Sequence, residues 1–262
     1  MGGLINNLIF AFQNVEGLYH QSIIMKIALI GYGKMGKEIE QIALGRGHSI
    51  VLKIDVQNQD ELTIEKLAEA DVAIEFTGPE TAVNNYLKCF EGGVPVVSGT
   101  TGWLAHKPEV ENACSNHQGC FFYASNFSLG VNIFFALNKY LAKTMKAFPD
   151  YDVTMTEVHH TQKLDAPSGT AITLADDIIA LSDAKTKWTI SSPESNNELH
   201  INPLREGTVP GIHTIKYDSE VDFIEITHSA YNRKGFAIGA VLAAEYSAGK
   251  KGIYSMSDLL NF

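Results

Sequence analysis

The densest group of reactive side chains is the segment Glu157-Val158-His159-His160-Thr161-Gln162-Lys163-Leu164-Asp165-Ala166-Pro167-Ser168-Gly169-Thr170-Ala171. His159, His160 and Lys163 place three potential cations on one short stretch of a chain whose 20 Lys and Arg against 30 Asp and Glu give a formal charge of −10. So acidic a protein has no broad attraction for a phosphate backbone or an anionic membrane, and neither nucleic acid nor membrane is an expected partner. An anionic ligand must be held by a local cluster such as this one. Pro167 and Ser168 mark a helix start, and Ser168, Gly169 and Thr170 offer N–H groups and hydroxyls at its positive end, which suits a carboxylate. Crowded cations release protons more easily near neutral pH, so the loop combines anion binding with acid/base groups. Paired loop histidines are also common as plain surface residues or adventitious metal ligands. No Cys and no H-x-x-x-H spacing accompanies them, and no metal is expected.

A second constellation lies near the start. The apolar run Ile27 to Ile30 is followed by Gly31-Tyr32-Gly33-Lys34-Met35-Gly36, with G-x-G-x-x-G spacing, and then by apolar residues at helical intervals. Strand, turn and helix are the context a dinucleotide-binding motif requires. Gly31 permits the tight turn, Gly33 lets the backbone approach a pyrophosphate, and Gly36 lets helix and strand pack closely. Asp55 ends the next strand at the ~20-residue distance of the ribose-binding acid. It would accept hydrogen bonds from the ribose hydroxyls and repel a 2′-phosphate, and no arginine follows it. NADH is therefore favoured over NADPH, although Lys53 or Lys34 could partly compensate. Thr77, in Phe76-Thr77-Gly78-Pro79, and Gly99, Thr100 and Thr101, in Gly99-Thr100-Thr101-Gly102, follow two further strands on the same rim. Ser125, Asn126 and Phe127 end the last strand of this half, on the nicotinamide side.

These residues need a scaffold to bring them together. Strands over Ile27–Ile30, Ser49–Ile54, Asp71–Phe76, Val94–Ser98 and Cys120–Tyr123 alternate with helices, which predicts an α/β fold with a Rossmann-like, doubly wound parallel sheet. From Leu129 to Phe148 one long helical stretch leads into a second, α+β domain for substrate and oligomerisation. That domain has strands near Tyr151–Val158, Gly211–Tyr217 and Asp222–Ser229 and a helix over Ser168–Leu181, while the polar Ser182 to Asn197 reads as a surface loop. Helical segments Phe236–Ser247 and Ser255–Leu260 return to the first domain. The expected division is 25–128 plus 237–262 for the dinucleotide and 129–236 for the substrate. Residues 1–24 lack Lys and Arg before their apolar part and contain interrupting polar residues, so they read as neither signal peptide nor membrane anchor. Met25 is a candidate initiator, and a genuine extension is the alternative. Cys89, Cys114 and Cys120 form no C-x-x-C pair and no even framework, which fits buried thiols in a reducing cytosol.

The segment EVHHTQKLDAPSGTA, together with GYGKMG, EFTGPE, SGTTG, SNFSLGVN and ITHSAYNRKGFAIGA, closely resembles the dihydrodipicolinate reductase family over Met25 to Leu260. The resemblance implies cytoplasmic hydride transfer from NADH or NADPH to a small cyclic dicarboxylate, 4-hydroxy-tetrahydrodipicolinate, in lysine and diaminopimelate synthesis. It gives His159 the acid/base position, Lys163 that of the proton donor, and His160, Gly169 and Thr170 substrate-binding positions. Thr77, Gly99, Thr100, Thr101, Ser125, Asn126 and Phe127 would line the nicotinamide side. Arg205 and Arg233 match basic positions without a firm role. The resemblance further implies a homotetramer joined through the second-domain sheet, and closure about hinges near Asn126 to Gly130 and Lys234 to Phe236. Thr161 and Gln162 depart from relatives with more basic residues there, which bears on substrate affinity. Two other functions stay open: another amino-acid-pathway dehydrogenase, and a non-catalytic NAD(H)-binding regulator.

Overall fold

The computed structural model describes residues 24–262. The stretch expected to be an extension lies outside the described residues but for Ile24. The chain forms two compact units, residues 24–127 with Phe236–Phe262, and Ser128–Gly235. In the first unit, strands β1 (Lys26–Ile30), β2 (Ser49–Ile54), β3 (Val72–Glu75), β4 (Val96–Ser98) and β5 (Cys120–Tyr123) alternate with helices α1 (Lys34–Gly45), the short α2 (Ile64–Leu67), α3 (Pro79–Glu91) and α4 (Lys107–Asn116). Strands β3 and β4 are buried at every position, as a parallel sheet covered by helices on both faces demands. Pro79 in the first turn of α3 supplies a φ already suited to a helix. Edge-to-face contacts among Tyr86, Phe90, Trp103 and Phe121 fill the core between α3, α4 and the sheet.

The second unit begins with α5 (Leu129–Met145), capped by the Ser128 side chain. Strand β6 (Asp152–His159) then alternates, with Val153, Met155, Glu157 and His159 buried on one face. Helix α6 (Gly169–Leu181) packs on that face with α5, and β7 (Lys187–Thr189), β8 (Glu198–Arg205), β9 (Ile212–Asp218) and β10 (Phe223–Ser229) complete a five-stranded mixed sheet of order β10-β9-β6-β8-β7. Because side chains alternate strictly, the row that starts as core at Val153 and Met155 must end with Glu157 and His159 on the same side. The core of this unit thus runs directly into its chemistry.

The chain then returns to the first unit with α7 (Lys234–Ser247), β11 (Gly252–Tyr254) and α8 (Met256–Leu260). Strand β11 adds to β5 and completes a six-stranded, wholly parallel sheet of order β11-β5-β4-β3-β1-β2. Sheet growth reverses between β1 and β3, the point where open α/β sheets hold their ligands. The expected doubly wound α/β sheet is present. The surface loop expected over Ser182 to Asn197 instead contains β7, and β8 follows it unforeseen. Lys185 explains part of this: it is 5% exposed, and its ammonium donates to the carbonyls of Asn196 at 2.9 Å and Glu198 at 3.1 Å and pairs with Asp152 at 2.6 Å. A lysine satisfied by backbone carbonyls folds a polar sequence inward. No helix among the described residues is long and apolar enough to cross a membrane.

Candidate functional site

In the first unit the three motif glycines differ in what surrounds them. A Cβ at Gly31, whose φ is +97°, would fall 2.0 Å from the carbonyl oxygen of Phe76, and one at Gly36 would fall 2.3 Å from that of Gly31. At Gly33 nothing lies within 4 Å. Gly31 and Gly36 thus make the turn possible, and Gly33 leaves open space over the start of α1, where Lys34, Met35 and Gly36 supply the first N–H groups. No side chain among the described residues caps this helix. Its positive end is therefore open to a pyrophosphate, and the cradle fits a dinucleotide.

A cavity of about 400 Å³ opens here at the β1/β3 switch, lined by Gly31, Gly33, Asp55 and Thr77. Its far wall was not foreseen: Thr81, Asn84, Asn85 and Lys88 of α3 line it too. Their i, i+3, i+4, i+7 spacing is a polar stripe, the one signal that could have marked them. Asp55 is exposed, its Oδ1 accepting the N–H of Val56 at 2.8 Å. Lys53, which could have favoured NADPH, is paired with Glu40 at 2.7 Å, and Glu40 also accepts from the Tyr32 hydroxyl.

Glu75, also missed, organises the loops after β3 and β4. Its fully buried carboxylate accepts from the hydroxyls of Ser98 at 2.7 Å, Thr100 at 3.0 Å and Thr77, and from the Thr77 N–H at 3.2 Å. One charged residue ending an otherwise apolar buried strand was its signal. The other expected nicotinamide-side residues sit at the ends of β4 and β5, outside the lining of this cavity. A Cβ at Gly99 would lie 2.2 Å from the Phe76 ring, so glycine here makes room for Phe76. The Thr100 hydroxyl is committed to Glu75, and Phe127 is 2% exposed, its ring 5.6 Å from Phe76 and 5.9 Å from Phe122. Thr101 and Ser125 are exposed and Asn126 half-buried.

In the second unit β6 delivers His159, the following turn delivers His160 and Lys163, and α6 starts just beyond. The Lys163 ammonium donates to both carboxylate oxygens of Asp165 at 2.8 Å. Ser168 caps α6, its hydroxyl accepting the Ala171 N–H at 3.2 Å and lying 3.2 Å from Nε2 of His213, while its own N–H donates to Glu157 at 3.1 Å. Ser168 is thus already engaged within the protein, and Gly169 follows it as the first helical residue. Burial holds the imidazole of His159 below its ordinary value; Glu157 works against this, and the cations Lys163 and Arg205 add to it. Burial, rather than the crowding of cations argued from the sequence, is the main cause. His213 is pushed further, down to about 3, by burial first and then by His159, His228 and Lys163. Neither Glu157 nor His213 was singled out in advance, though the inward parity of Val153, Met155 and Glu157 marks the carboxylate as buried.

Arg205 ties the loop down, donating to the Asp165 carbonyl at 2.6 Å and lying 3.4 Å from Glu157 Oε1. Glu157, His159 and His213 bring three potential metal-ligand atoms within 4.8 Å of one another. The carboxylate among them is already engaged by Ser168 and faces Arg205.

Two family models match. Dihydrodipicolinate reductase, N-terminus, covers residues 25–127, and Dihydrodipicolinate reductase, C-terminus, covers residues 130–260. The 4-hydroxy-tetrahydrodipicolinate reductase of Christiangramia forsetii is 48% identical over 239 residues, 90% of this chain and 98% of that protein. The enzyme of the same name from Staphylococcus saprophyticus is 36% identical, over 90% of this chain and 100% of that one. A dipicolinate-bound dihydrodipicolinate reductase from Paenisporosarcina sp. TG-14 shares the fold, with a TM-score of 0.72 at 22% identity over 89% of this chain and 98% of that one. The open glycine cradle at the switch point and the paired domain matches agree: the chain belongs to the dihydrodipicolinate reductase family and is an oxidoreductase that uses a pyridine nucleotide.

Proposed function

We propose that the chain reduces 4-hydroxy-tetrahydrodipicolinate to tetrahydrodipicolinate, with loss of water in the overall reaction, and that it prefers NADH. The observation that carries this is the sequence of groups leaving β6: a buried His159, then Lys163 held by Asp165, then the N-terminus of α6. A cyclic dicarboxylate needs positive potential to balance its charges, which the first N–H groups of α6 supply together with Lys163 once its ammonium turns from Asp165 to the ligand, with His160 beside them as a hydrogen-bonding group. The bound nucleotide supplies hydride from its nicotinamide. Negative charge then develops on the substrate ring, and in this reading Lys163 quenches it with a proton, His159 being the acid/base partner.

Asp55 at the end of β2 and the pairing of Lys53 with Glu40 support NADH, because the acid repels a 2′-phosphate and Lys53 is already engaged by another carboxylate. The proposal extends to a cytoplasmic homotetramer, joined through the second unit's sheet on the face that carries the half-buried Thr154, Thr156 and Thr214. Three free, buried cysteines support the reducing compartment.

The test is loss of NADH or NADPH absorbance when the purified protein meets freshly made product of dihydrodipicolinate synthase. His159→Ala and Lys163→Ala should each lower kcat/KM by about 10²-fold or more while leaving NADH affinity almost intact. Near-normal rates in both variants would remove the proposed roles.

A further inference from the structure

Glu157 is 1% exposed, at the inner end of β6, and the proposed chemistry gives it no part. Its two oxygens accept the Ser168 N–H at 3.1 and 3.2 Å. Oε1 lies 3.4 Å from the Arg205 guanidinium, while Oε2 lies 3.5 Å from Nδ1 of His159 and 3.7 Å from Nε2 of His213. Nδ1 of His159 is buried without a hydrogen-bond partner, so this carboxylate is the acceptor positioned for an Nδ1–H hydrogen bond. Such contacts are commonly long without ligands and tighten when a complex forms. On the ring's other edge Nε2 faces Gly211, where even a Cβ would come within 3.2 Å. A larger residue at that position would crowd the very nitrogen left to face a ligand.

A neutral imidazole carries its proton on one nitrogen, and the hydrogen bond at the other edge decides which. We propose that Glu157 is a positioning residue for His159: its carboxylate keeps the imidazole proton on Nδ1, presents the Nε2 lone pair to the substrate, and stabilises the imidazolium when Nε2 takes up a proton. By accepting the Ser168 N–H as well, the same carboxylate fixes the ring relative to the N-terminus of α6. This rests on the acid/base role given to His159 above.

The deciding variant is Glu157→Gln, equal in size. Ser168 and Arg205 both donate, so they hold the new amide oxygen and turn its NH2 toward Nδ1, which forces the proton to Nε2. Nitrogen-15 NMR of the histidine-labelled full chain with NADH should show His159 as the Nδ1–H tautomer in the natural sequence and as Nε2–H in Glu157→Gln. The variant should lose about 10²-fold or more in kcat with NADH affinity within about twofold, as expected for a wrong tautomer. The groups facing His159 are Glu157 on β6, Lys163 and Asp165 on the loop, Arg205 on β8 and His213 on β9. Of these Glu157 and Asp165 favour the protonated ring, so removing the Glu157 charge should move the acid limb of kcat/KM to lower pH. A merely structural role would move neither tautomer nor limb, and Glu157→Asp, which keeps the charge, should recover part of the rate.

An Nε2–H tautomer in the natural sequence, or a folded Glu157→Gln enzyme with unchanged rate and pH profile, overturns the proposal. If Glu157→Gln does not fold, the tautomer of the natural sequence decides alone. Because the tautomer is read without turnover, an inactive protein with Nδ1–H in place counts against the proposed reaction and for the positioning of the ring.

Discussion

The hydroxyl of Thr100 accepts the backbone N–H of Thr77 at 2.8 Å, tying together two loops that follow neighbouring parallel strands. The same hydroxyl donates to Glu75 at 3.0 Å, so one atom serves both the loop and the buried carboxylate. Thr100→Val keeps the shape and removes both interactions. Thr77 N–H then retains only its longer contact with Glu75, and one donor to a buried charge is lost. The expected cost is about 1–3 kcal/mol of stability, with weaker NADH binding, read by urea melts and a nucleotide titration. An unchanged melt would show that Ser98 and Thr77 alone satisfy Glu75.

The glycine cradle separates folding from binding. Gly33→Ala puts a methyl into open space, so its melting temperature should stay within a few degrees while NADH affinity falls by about tenfold or more. Gly31→Ala combines a positive φ with a 2.0 Å clash against the Phe76 carbonyl and should cost about 3 kcal/mol or more. Equal effects of the two substitutions on stability would contradict this division of labour.

What the sequence revealed, and what it hid, follows from where each signal resides. The β1–α1 turn was legible because its requirements are local: glycines at fixed offsets, an apolar strand, an acid at the next strand's end. The carboxylates Glu75 and Glu157 were not, because what distinguishes them is burial against donors from distant segments: Ser98 and Thr100 for one, Ser168 and Arg205 for the other. Strand β8 was hidden for a related reason. Its Glu-Leu-His-Ile-Asn-Pro-Leu-Arg sequence offers two alternating apolar residues before a proline, and pairing to both β6 and β7 supplies the rest.

Asp55 sets an expectation for cofactor choice. If its carboxylate holds the ribose hydroxyls, Asp55→Ala should weaken NADH by about tenfold and leave NADPH less affected or improved. Dissociation constants for both nucleotides, measured by quenching of protein fluorescence, check this. Greater loss of NADPH would show that Asp55 does not contact the ribose.

His213 makes stability depend on acid. Its folded-state value of about 3 lies well below the ordinary 6.5, so between these values the unfolded chain binds a proton that the folded chain refuses. Stability must therefore fall as pH drops below about 6.5, by up to about 1.4 kcal/mol per pH unit from this group alone. His159 and His228, both lowered chiefly by burial, act with the same sign. Urea unfolding at pH 7.5, 6.0 and 5.0 should show this loss in the natural sequence. His213→Gln gives up the contact with the Ser168 hydroxyl and should start less stable at pH 7.5, yet lose less on acidification. Parallel pH dependences in the two proteins would mean that His213 accepts its proton without unfolding the site, contrary to the burial that keeps it neutral.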